Sequence, residues 1–222
     1  MRKPAQRVPD LSRDRAEALR LVPVTRETTE RLDRFVALIL EWQARINLIA
    51  PSTLPEIWTR HIADSLQLLE VIPDAKIWVD FGSGGGFPAI PVACALGDTP
   101  GARVHLVESN GKKAAFLREA IRLLHLPAQV HNERVENFGE SWDSSADAVT
   151  ARALAPLKAL CNQTFPLISK GAVGLFLKGQ DVVTELTEAS KYWTLEASTV
   201  PSKTSPTGCI VVIRSLKPRK KV

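Results

Sequence analysis

In the first third of the chain, apolar side chains recur at helical spacing. Between Thr28 and Asn47 they fall on one side of a 3.6-residue period, which predicts an amphipathic helix. These positions are Leu32, Phe35, Val36, Ile39, Leu40 and Ile46. Pro51 interrupts the pattern, and a second helix is predicted from about Thr53 to Val71. Because no strand pattern precedes them, residues 1–75 are predicted to form a helical N-terminal extension packed on the rest of the chain.

After residue 75 the pattern changes to short apolar runs separated by helical stretches. The runs predict five strands, at Ile77–Phe81, Arg103–Glu108, Ala128–Asn132, Asp147–Ala151 and Val173–Lys178. A helix with regularly spaced apolar positions is predicted between two of them, at Lys112–Leu124. Strands that alternate with helices of about 10–15 residues indicate βαβ units and a parallel sheet.

The end of the chain follows a third pattern. Trp193–Ala197 and Cys209–Ser215 are strand-like, and a loop rich in Ser, Thr and Pro joins them without a helix, as in an antiparallel hairpin. The predicted fold is therefore α/β: a Rossmann-like sheet with an antiparallel C-terminal edge and the helical N-terminal extension. Residues 76–222 are predicted to form this core as one structural unit.

Composition narrows the class of protein. The chain has 222 residues, of which 45% are apolar and 24% charged, ordinary values for a folded globular protein. Its apolar runs are far shorter than the ~20 residues of a membrane span, and its first residues lack the apolar region of a secretory signal. The three cysteines, Cys94, Cys161 and Cys209, lie far apart and without zinc-ligand spacing. We therefore expect a cytoplasmic protein without a disulfide framework, a metal or a membrane partner.

The net charge of +5 is unevenly distributed. The first 20 residues carry +3 and the last nine carry +5, so the remainder is slightly acidic. The basic side chains at the C-terminus include Lys217, Arg219, Lys220 and Lys221, which are predicted to lie beyond the last strand. Basic ends on an acidic body suit arms that contact the phosphates of a nucleic acid. A solvated tail that binds nothing is the alternative interpretation.

The most specific local motif is the glycine-rich segment Asp80–Pro88, which follows a predicted strand and precedes a helix. A dinucleotide fingerprint would need glycine at the position of Phe87, and a Walker A loop would need a Gly-Lys-Ser/Thr sequence that is missing here. The pattern D-x-G-x-G-x-G is instead the first motif of class I S-adenosylmethionine-dependent methyltransferases. It makes Gly82, Ser83 and Gly84 candidate residues for binding S-adenosyl-L-methionine.

A carboxylate completes this signal. Glu108 ends the next predicted strand, 26 residues after Gly82, where it can accept hydrogen bonds from both ribose hydroxyls and would repel a triphosphate. Taken alone, the loop could be a tight turn and Glu108 a surface charge. Their combination predicts an adenosyl cofactor, S-adenosyl-L-methionine.

The assembled motifs resemble one family, the bacterial small-subunit (16S) ribosomal RNA guanine-N7 methyltransferases, called RsmG or glucose-inhibited division protein B. The matching segments follow the family's order over roughly residues 30–180. They are Asn47–Ile49, Arg60–Ser65, Asp80–Pro91, Glu108–Lys113, Arg134–Glu136, Ala151–Ala153 and Leu177–Gln180. The resemblance implies methyl transfer to N7 of a guanine, with ribosomal RNA or the small subunit as partner and a monomeric enzyme.

The resemblance also implies roles for particular residues. It places cofactor contacts at Gly82, Phe87, Val135, Glu136 and Arg152. It places RNA or transfer-centre contacts at Asn47, Arg134 and Lys178. The structural alternatives are a buried, carboxylate-paired arginine for Arg152 and a helix cap or surface charge for the others. His61, Asp64 and Ser65 share one helical face, which we expect to pack on the glycine loop rather than to catalyse.

The chemistry of the implied reaction suits a site without a general base. Guanine N7 carries a lone pair and no proton, so in-line displacement needs only positioning, and an arginine bound to O6 and N7 would block it. Arg134 and Lys178 are therefore expected to hold O6, phosphate or ribose. In A-form RNA N7 is reachable only in a loop, a bulge or a flipped base.

Departures and alternatives remain. Pro206–Cys209 replaces the basic or histidine-containing step that the family often has before its last strand, which points to RNA contacts at the termini.

A class I methyltransferase acting on another RNA, a protein or a small molecule stays open. A nicotinamide-dependent oxidoreductase conflicts with Phe87, and a non-enzymatic RNA-binding module conflicts with the intact glycines and Glu108.

Overall fold

Two helices begin the part of the chain that the computed structural model describes, residues 10–219. They are α1 (Ser12–Leu21), which the apolar pattern did not predict, and α2 (Arg26–Gln43). The predicted extension of α2 to Asn47 is wrong, because the Gln43 side chain ends the helix. Its Oε1 accepts hydrogen bonds from the N–H groups of Leu48 and Ile49, at 2.9 and 3.1 Å. Asn47 therefore lies in the turn that follows.

The second predicted helix is helical over its length but is not one continuous α-helix. Pro51–Glu56 forms a 3₁₀ helix that contains Pro55. Proline has no N–H to donate to the carbonyl four residues earlier, so an α-helix is disfavoured here. Trp58–Ala63 is a π-helical turn, a conformation that occurs often at functional sites. Two short α-helices complete the segment, α3 (Asp64–Leu66) and α4 (Leu68–Val71).

The predicted α/β fold is confirmed by a single seven-stranded sheet. Its strands are β1 (Ile77–Phe81), β2 (Arg103–Val107), β3 (Ala128–His131), β4 (Ala148–Arg152), β5 (Val173–Lys178), β6 (Trp193–Pro201) and β7 (Cys209–Pro218). The order is β3-β2-β1-β4-β5-β7-β6, parallel from β3 to β5. β7 is antiparallel to both β5 and β6, which confirms the predicted C-terminal edge.

The strand order determines where a ligand can bind. From β1 the chain moves outward to β3 and then returns to β4, so β1 and β4 flank the switch point of the sheet. Ligands of open α/β sheets bind outside the carboxyl ends of the strands at such a point. The connecting helices are α5 (Ala89–Ala95), α6 (Gly111–Leu124), α7 (Val135–Ser141), α8 (Leu157–Ile168) and α9 (Val182–Ser190).

Hydrophobic cores cover both faces of the sheet. One contains Phe35 of α2 and Trp58 together with Ile90 of α5 and Phe116 of α6, so the N-terminal helices share a core with the sheet. The other is formed by residues of α7, α8 and α9. The boundary at residue 75 stays a prediction about folding units. None of the helices described between residues 10 and 219 is long and apolar enough to cross a membrane.

The basic termini are only partly described. β7 continues to Pro218, three residues beyond its predicted end, so Lys217 lies within the strand and the prediction that it lies beyond is wrong. The N–H of Arg219 donates to the carbonyl of Tyr192 at 2.8 Å. Residues 1–9 and 220–222, which include Lys220 and Lys221, lie outside the described residues.

Candidate active site

The glycine loop leaves β1 at the switch point, and its glycines face different surroundings. Gly86 has a φ of +92°, and a Cβ there would lie 2.7 Å from Ile90 and 3.1 Å from Phe35, so this glycine is needed for packing. Gly84 has a φ of +53°, and a Cβ there would meet only the Gly82 carbonyl at 3.6 Å and Lys113 Nζ at 4.0 Å. Gly84 therefore faces open space, where a ligand can approach the backbone.

Glu108 joins this loop to the end of β2. Its carboxylate accepts hydrogen bonds from the N–H groups of Gly84 at 2.8 Å and Asn110 at 2.7 Å. Asn132 Nδ2 donates to the Glu108 carbonyl at 2.8 Å. The residue is 8% exposed, so the surface-charge interpretation is wrong. Because each carboxylate oxygen has a second lone pair, the group can still accept hydrogen bonds from ribose hydroxyls.

A second carboxylate lies beneath the loop. Asp80 of β1 is 1% exposed, and its Oδ1 accepts a hydrogen bond from Thr150 Oγ1 at 2.7 Å. Its Oδ2 is buried without a hydrogen-bond partner among residues 10–219. Burial raises the pKa of Asp80 to about 7, although the hydrogen bond from Thr150 and the charge of Arg152 oppose the shift. Sequence reasoning treated Asp80 as part of the motif and assigned it no role.

These features fit an adenosyl amino-acid cofactor. The open face of Gly84 gives the backbone access to a ligand, and Glu108 supplies an acceptor for hydroxyls. The orphaned Oδ2 of Asp80 is a buried acceptor that costs free energy until a donor pairs with it. A cofactor that carries both hydroxyls and an amino group matches this set of acceptors.

Arg152 ends β4 and links the loop to the N-terminal helices. Its Nη1 donates to the Arg60 carbonyl at 3.2 Å and lies 3.6 Å from Asp64 Oδ2. Its Nη2 donates to His61 Nδ1, and the guanidinium carbon lies 5.7 Å from the centre of the Phe87 ring. Arg152 is thus a mostly buried arginine paired with a carboxylate, at the carboxyl edge where the cofactor is predicted to bind.

His61 is fixed by contacts on both ring nitrogens. An arginine can only donate, so Nδ1 accepts from Arg152, and Nε2 is left to donate to Thr53 Oγ1 at 2.8 Å. Burial and the charge of Arg152 lower the pKa of His61 to about 3, so the ring is neutral at neutral pH. Its ring centre lies 4.9 Å from that of Phe87. The contact with Phe87 agrees with the expectation that the His61 face packs on the glycine loop. The hydrogen bonds to Arg152 and Thr53 leave His61 no ring nitrogen to act as a base.

A cavity of about 400 Å³ opens beside Arg152, at the ends of β4 and β5. We call it the β4–β5 cavity. The helical segment that contains His61 and the loop between β6 and β7 form its other walls. Its polar lining includes Arg60, Asp64, Arg152, Lys178, Ser202 and Ser205. Its volume lies within the ~300–1,000 Å³ range of small-ligand pockets.

Of the three residues predicted to contact RNA, only Lys178 lines this cavity. Its Nζ donates to Glu185 Oε2 at 2.7 Å and to the Ala155 carbonyl at 2.9 Å, which leaves a third N–H for a ligand. Arg134 is exposed and precedes α7. Asn47 is exposed, and its Oδ1 accepts a hydrogen bond from Gln43 at 3.2 Å.

The two residues predicted at the adenine rim lie at the start of α7. The Val135 side chain is buried in the core, and the exposed Glu136 accepts a hydrogen bond from Gln163 of α8 at 3.0 Å. The N–H groups of a first helical turn have no partner within the helix. Because the Val135 side chain is buried and the Glu136 side chain bonds to Gln163, a cofactor would contact the main-chain N–H groups of these two residues. That contact stays a prediction.

The loop between β6 and β7 contributes residues that sequence reasoning missed. Thr204 Oγ1 donates to Asp64 Oδ1 at 2.7 Å, and Gln67 Oε1 accepts from the Lys203 N–H at 2.9 Å. These pairs are more than 130 positions apart in the chain. No local motif could have indicated them.

The profile of one protein family, "GidB: rRNA small subunit methyltransferase G", matches residues 28–209. Two similar proteins carry the name ribosomal RNA small subunit methyltransferase G. That of Bradyrhizobium sp. strain BTAi1 is 60% identical over 203 residues, 91% of each chain. That of Nitrobacter hamburgensis is 53% identical over 220 residues, which cover 99% of this chain and 85% of the relative.

Solved structures resemble the fold. The O-methyltransferase TomG from Streptomyces achromogenes, solved in complex with SAM, aligns with a TM-score of 0.60 at 14% identity and covers 93% of this chain and 99% of its own. An O-methyltransferase from Bacillus cereus in complex with SAH aligns with a TM-score of 0.55 at 16% identity, over 92% of this chain and 98% of its own. At such identities the likeness shows the class I methyltransferase fold alone.

Proposed function

The chain belongs to the rRNA small subunit methyltransferase G family, and from that membership we propose that it methylates N7 of a guanine in 16S ribosomal RNA, with S-adenosyl-L-methionine as methyl donor. The observation that carries the proposal is the family match over residues 28–209, which spans both the glycine loop and the β4–β5 cavity. Membership decides against the oxidoreductase and the non-enzymatic alternatives.

The glycine loop, Asp80 and Glu108 lie at the ends of β1 and β2, and we call them the β1–β2 side of the site. This side suits the cofactor. When bound, S-adenosyl-L-methionine supplies a methyl group carried on a positively charged sulfur. Glu108 accepts hydrogen bonds from the ribose hydroxyls, and Gly84 leaves room for the ligand along the loop. Asp80 offers its orphaned Oδ2 to the amino group. Their common role is to hold the methyl group in line with the incoming nitrogen.

The β4–β5 side suits a guanine that needs no deprotonation. His61 has no free ring nitrogen, and a reaction at a lone pair that carries no proton does not call for one. Arg152 is held by Arg60, His61 and Asp64, which fix its guanidinium at the wall of the cavity. The third N–H of Lys178 is available for O6. Catalysis then consists of placing N7 about 3 Å from the methyl carbon.

The partner that follows is 16S ribosomal RNA or the small ribosomal subunit in the cytoplasm, bound at a loop, bulge or flipped guanine. We expect the enzyme to act as a monomer. Its mechanism calls for no metal, and residues 10–219 contain no group of three or more metal-ligating side chains.

The proposal is tested with 16S ribosomal RNA and small subunits from a strain that lacks this gene. Purified protein and isotope-labelled S-adenosyl-L-methionine should give one labelled guanine, identified as N7-methylguanine by mass mapping. Gly84→Val protein serves as the control for contaminating activity. Transfer to a different base, to another atom of guanine, or to neither substrate although the cofactor binds would refute the proposal.

A further inference from the structure

Asp64 is the one acidic side chain among the described residues that line the β4–β5 cavity. Its Oδ1 is held by Gln67 Nε2 at 2.9 Å and by Thr204 Oγ1 at 2.7 Å. Its Oδ2 lies 3.6 Å from Arg152 Nη1, which is a long ion pair rather than a hydrogen bond. The carboxylate is therefore fixed in position by one oxygen and only loosely engaged by the other.

The groups around the Asp64 carboxylate do not fully offset the free-energy cost of burying its charge. Its side chain is 17% exposed, and burial raises the pKa of Asp64 although Arg152 and the Thr204 hydrogen bond oppose the shift. The other charged groups that face the cavity, Arg60 and Lys178, are cationic. A buried carboxylate gains most from a ligand that donates hydrogen bonds to it, because its desolvation is then repaid.

Guanine is the base that presents a matching pair of donors. Its Watson–Crick edge carries N1–H beside the N2 amino group, and the two can donate to one carboxylate oxygen that has both lone pairs free. Adenine has an acceptor at N1 and no amino group at C2. Flipped and single-stranded bases are read on this edge. Because the N1–N2 edge lies across the ring from N7, a contact there leaves the nucleophilic nitrogen unobstructed.

We propose that Asp64 selects the target base, with the open Oδ2 of its carboxylate accepting hydrogen bonds from N1–H and the N2 amino group of a guanine in the β4–β5 cavity. The inference rests on the proposed function, and it assigns to Asp64 a contact with the substrate that goes beyond its packing role. Thr204 and Gln67 act as positioning residues, since they hold Oδ1 and thereby orient the carboxylate.

The test uses RNA in which the mapped target guanine is replaced by inosine, which keeps N1–H and O6 but lacks the N2 amino group. Wild-type protein should lose about 10-fold in kcat/KM on inosine RNA, the scale of one lost contact to a charged acceptor. Asp64→Asn should lose about 10- to 100-fold on guanine RNA. On inosine RNA the variant should lose much less, so its guanine preference largely disappears.

A purely structural role for Asp64 predicts a different pattern. Asp64→Asn would then weaken transfer to guanine and inosine by the same factor and keep the wild-type preference, which would overturn the inference. Thr204→Val is the matched comparison: it removes one of the two hydrogen bonds that orient Asp64 Oδ1 but leaves the carboxylate, so the guanine preference should shrink much less than in Asp64→Asn. Cofactor affinity, measured by calorimetry, should be the same in all three proteins.

The rates of wild-type protein on guanine and inosine RNA test the contact with the N2 amino group even if the Asp64→Asn variant does not fold. Equal rates on guanine and inosine RNA would refute a contact with the N2 amino group without any substitution. Failure of the proposed function is distinguishable, because wild-type protein would then methylate no guanine in unmodified 16S ribosomal RNA.

Discussion

The β1–β2 side and the β4–β5 side of the site are each stabilised by a different kind of contact. On the β1–β2 side, Glu108 bonds to the backbone of Gly84, 24 residues earlier, and of Asn110, two residues later. On the β4–β5 side, Arg152 contacts residues of the π-helical turn some 90 positions earlier, and Asp64 bonds to Thr204, 140 positions later. The proposed cofactor side is organised largely by hydrogen bonds to the backbone of one loop, whereas the proposed substrate side is assembled from side chains of distant elements.

The difference follows from what each side binds. A methyl donor is the same molecule for many enzymes, so a short loop with left-handed glycines and one acidic residue suffices to bind it. An acceptor differs from enzyme to enzyme. Beyond the ends of β4 and β5, the walls of its cavity come here from the N-terminal helical segment and the β6–β7 loop, outside the repeating βαβ units. Substitutions on the two sides should therefore separate cofactor binding from RNA selection.

The largest effect is expected at Gly84. Gly84→Val should weaken S-adenosyl-L-methionine binding by more than about 100-fold, because the side chain would occupy the open space in front of the loop. The backbone adopts a φ of +53° there, so a stability cost of about 1–2 kcal/mol is also expected. Titration calorimetry measures the affinity, and circular dichroism checks the fold.

Gly101→Val separates strain from ligand exclusion. Gly101 has a φ of +79°, a Cβ at this position would meet nothing within 4 Å, and the residue lies outside the loop. The variant should show a similar stability cost with unchanged cofactor affinity. Near-normal affinity in Gly84→Val would mean that the cofactor does not use this face of the loop.

On the substrate side, Arg152→Met should destabilise the protein by about 1–3 kcal/mol, because the mostly buried Asp64 loses the cation paired with it. An unpaired buried carboxylate has a folded pKa further above its ordinary value of 3.8, so ionisation penalises the folded state as the pH rises past 3.8. The deficit should thus be full at neutral pH and shrink as the pH falls toward 4. Urea unfolding measures it.

Adding Asp64→Asn to Arg152→Met should recover part of this stability, because it removes the uncompensated charge. Methyl transfer should not recover with it. A loss below about 1 kcal/mol in the single variant, typical of an exposed ion pair, would show that Arg152 does not stabilise the β4–β5 side.

The same contrast explains how much the sequence could predict. Apolar periodicity and the glycine motif predicted the parallel strands, the C-terminal hairpin and the loop, because each of these is encoded over a few consecutive residues. They missed α1, the irregular helix over 51–71 and the end of α2, where a side chain caps the backbone. The pairing of Asp64 with Thr204 depends on the completed fold.

Glu108→Ala should weaken cofactor binding by about 1–3 kcal/mol, the scale of hydrogen bonds to a charged acceptor. It should leave RNA affinity nearly unchanged, because Glu108 lies on the cofactor side. Glu136→Ala is the matched control, since its exposed carboxylate is not needed if α7 contacts the cofactor through its main chain. Parallel losses of cofactor and RNA affinity in Glu108→Ala would identify it as a structural residue instead.

The smallest effect concerns the basic C-terminus, which belongs to neither side. Truncation at 217 would remove residues that pair with Trp193 and Thr194 of β6, so substitution to glutamine is the cleaner change. Replacing Lys217, Arg219, Lys220 and Lys221 should reduce the slope of log K for RNA against log salt by about 3 to 4 units if all four contact phosphates. Cofactor affinity should stay the same, because Lys217 and Arg219 lie at the far end of the β6–β7 hairpin from the cavity. An unchanged salt slope on 16S ribosomal RNA would mean that the tail is solvated and that the RNA is held elsewhere.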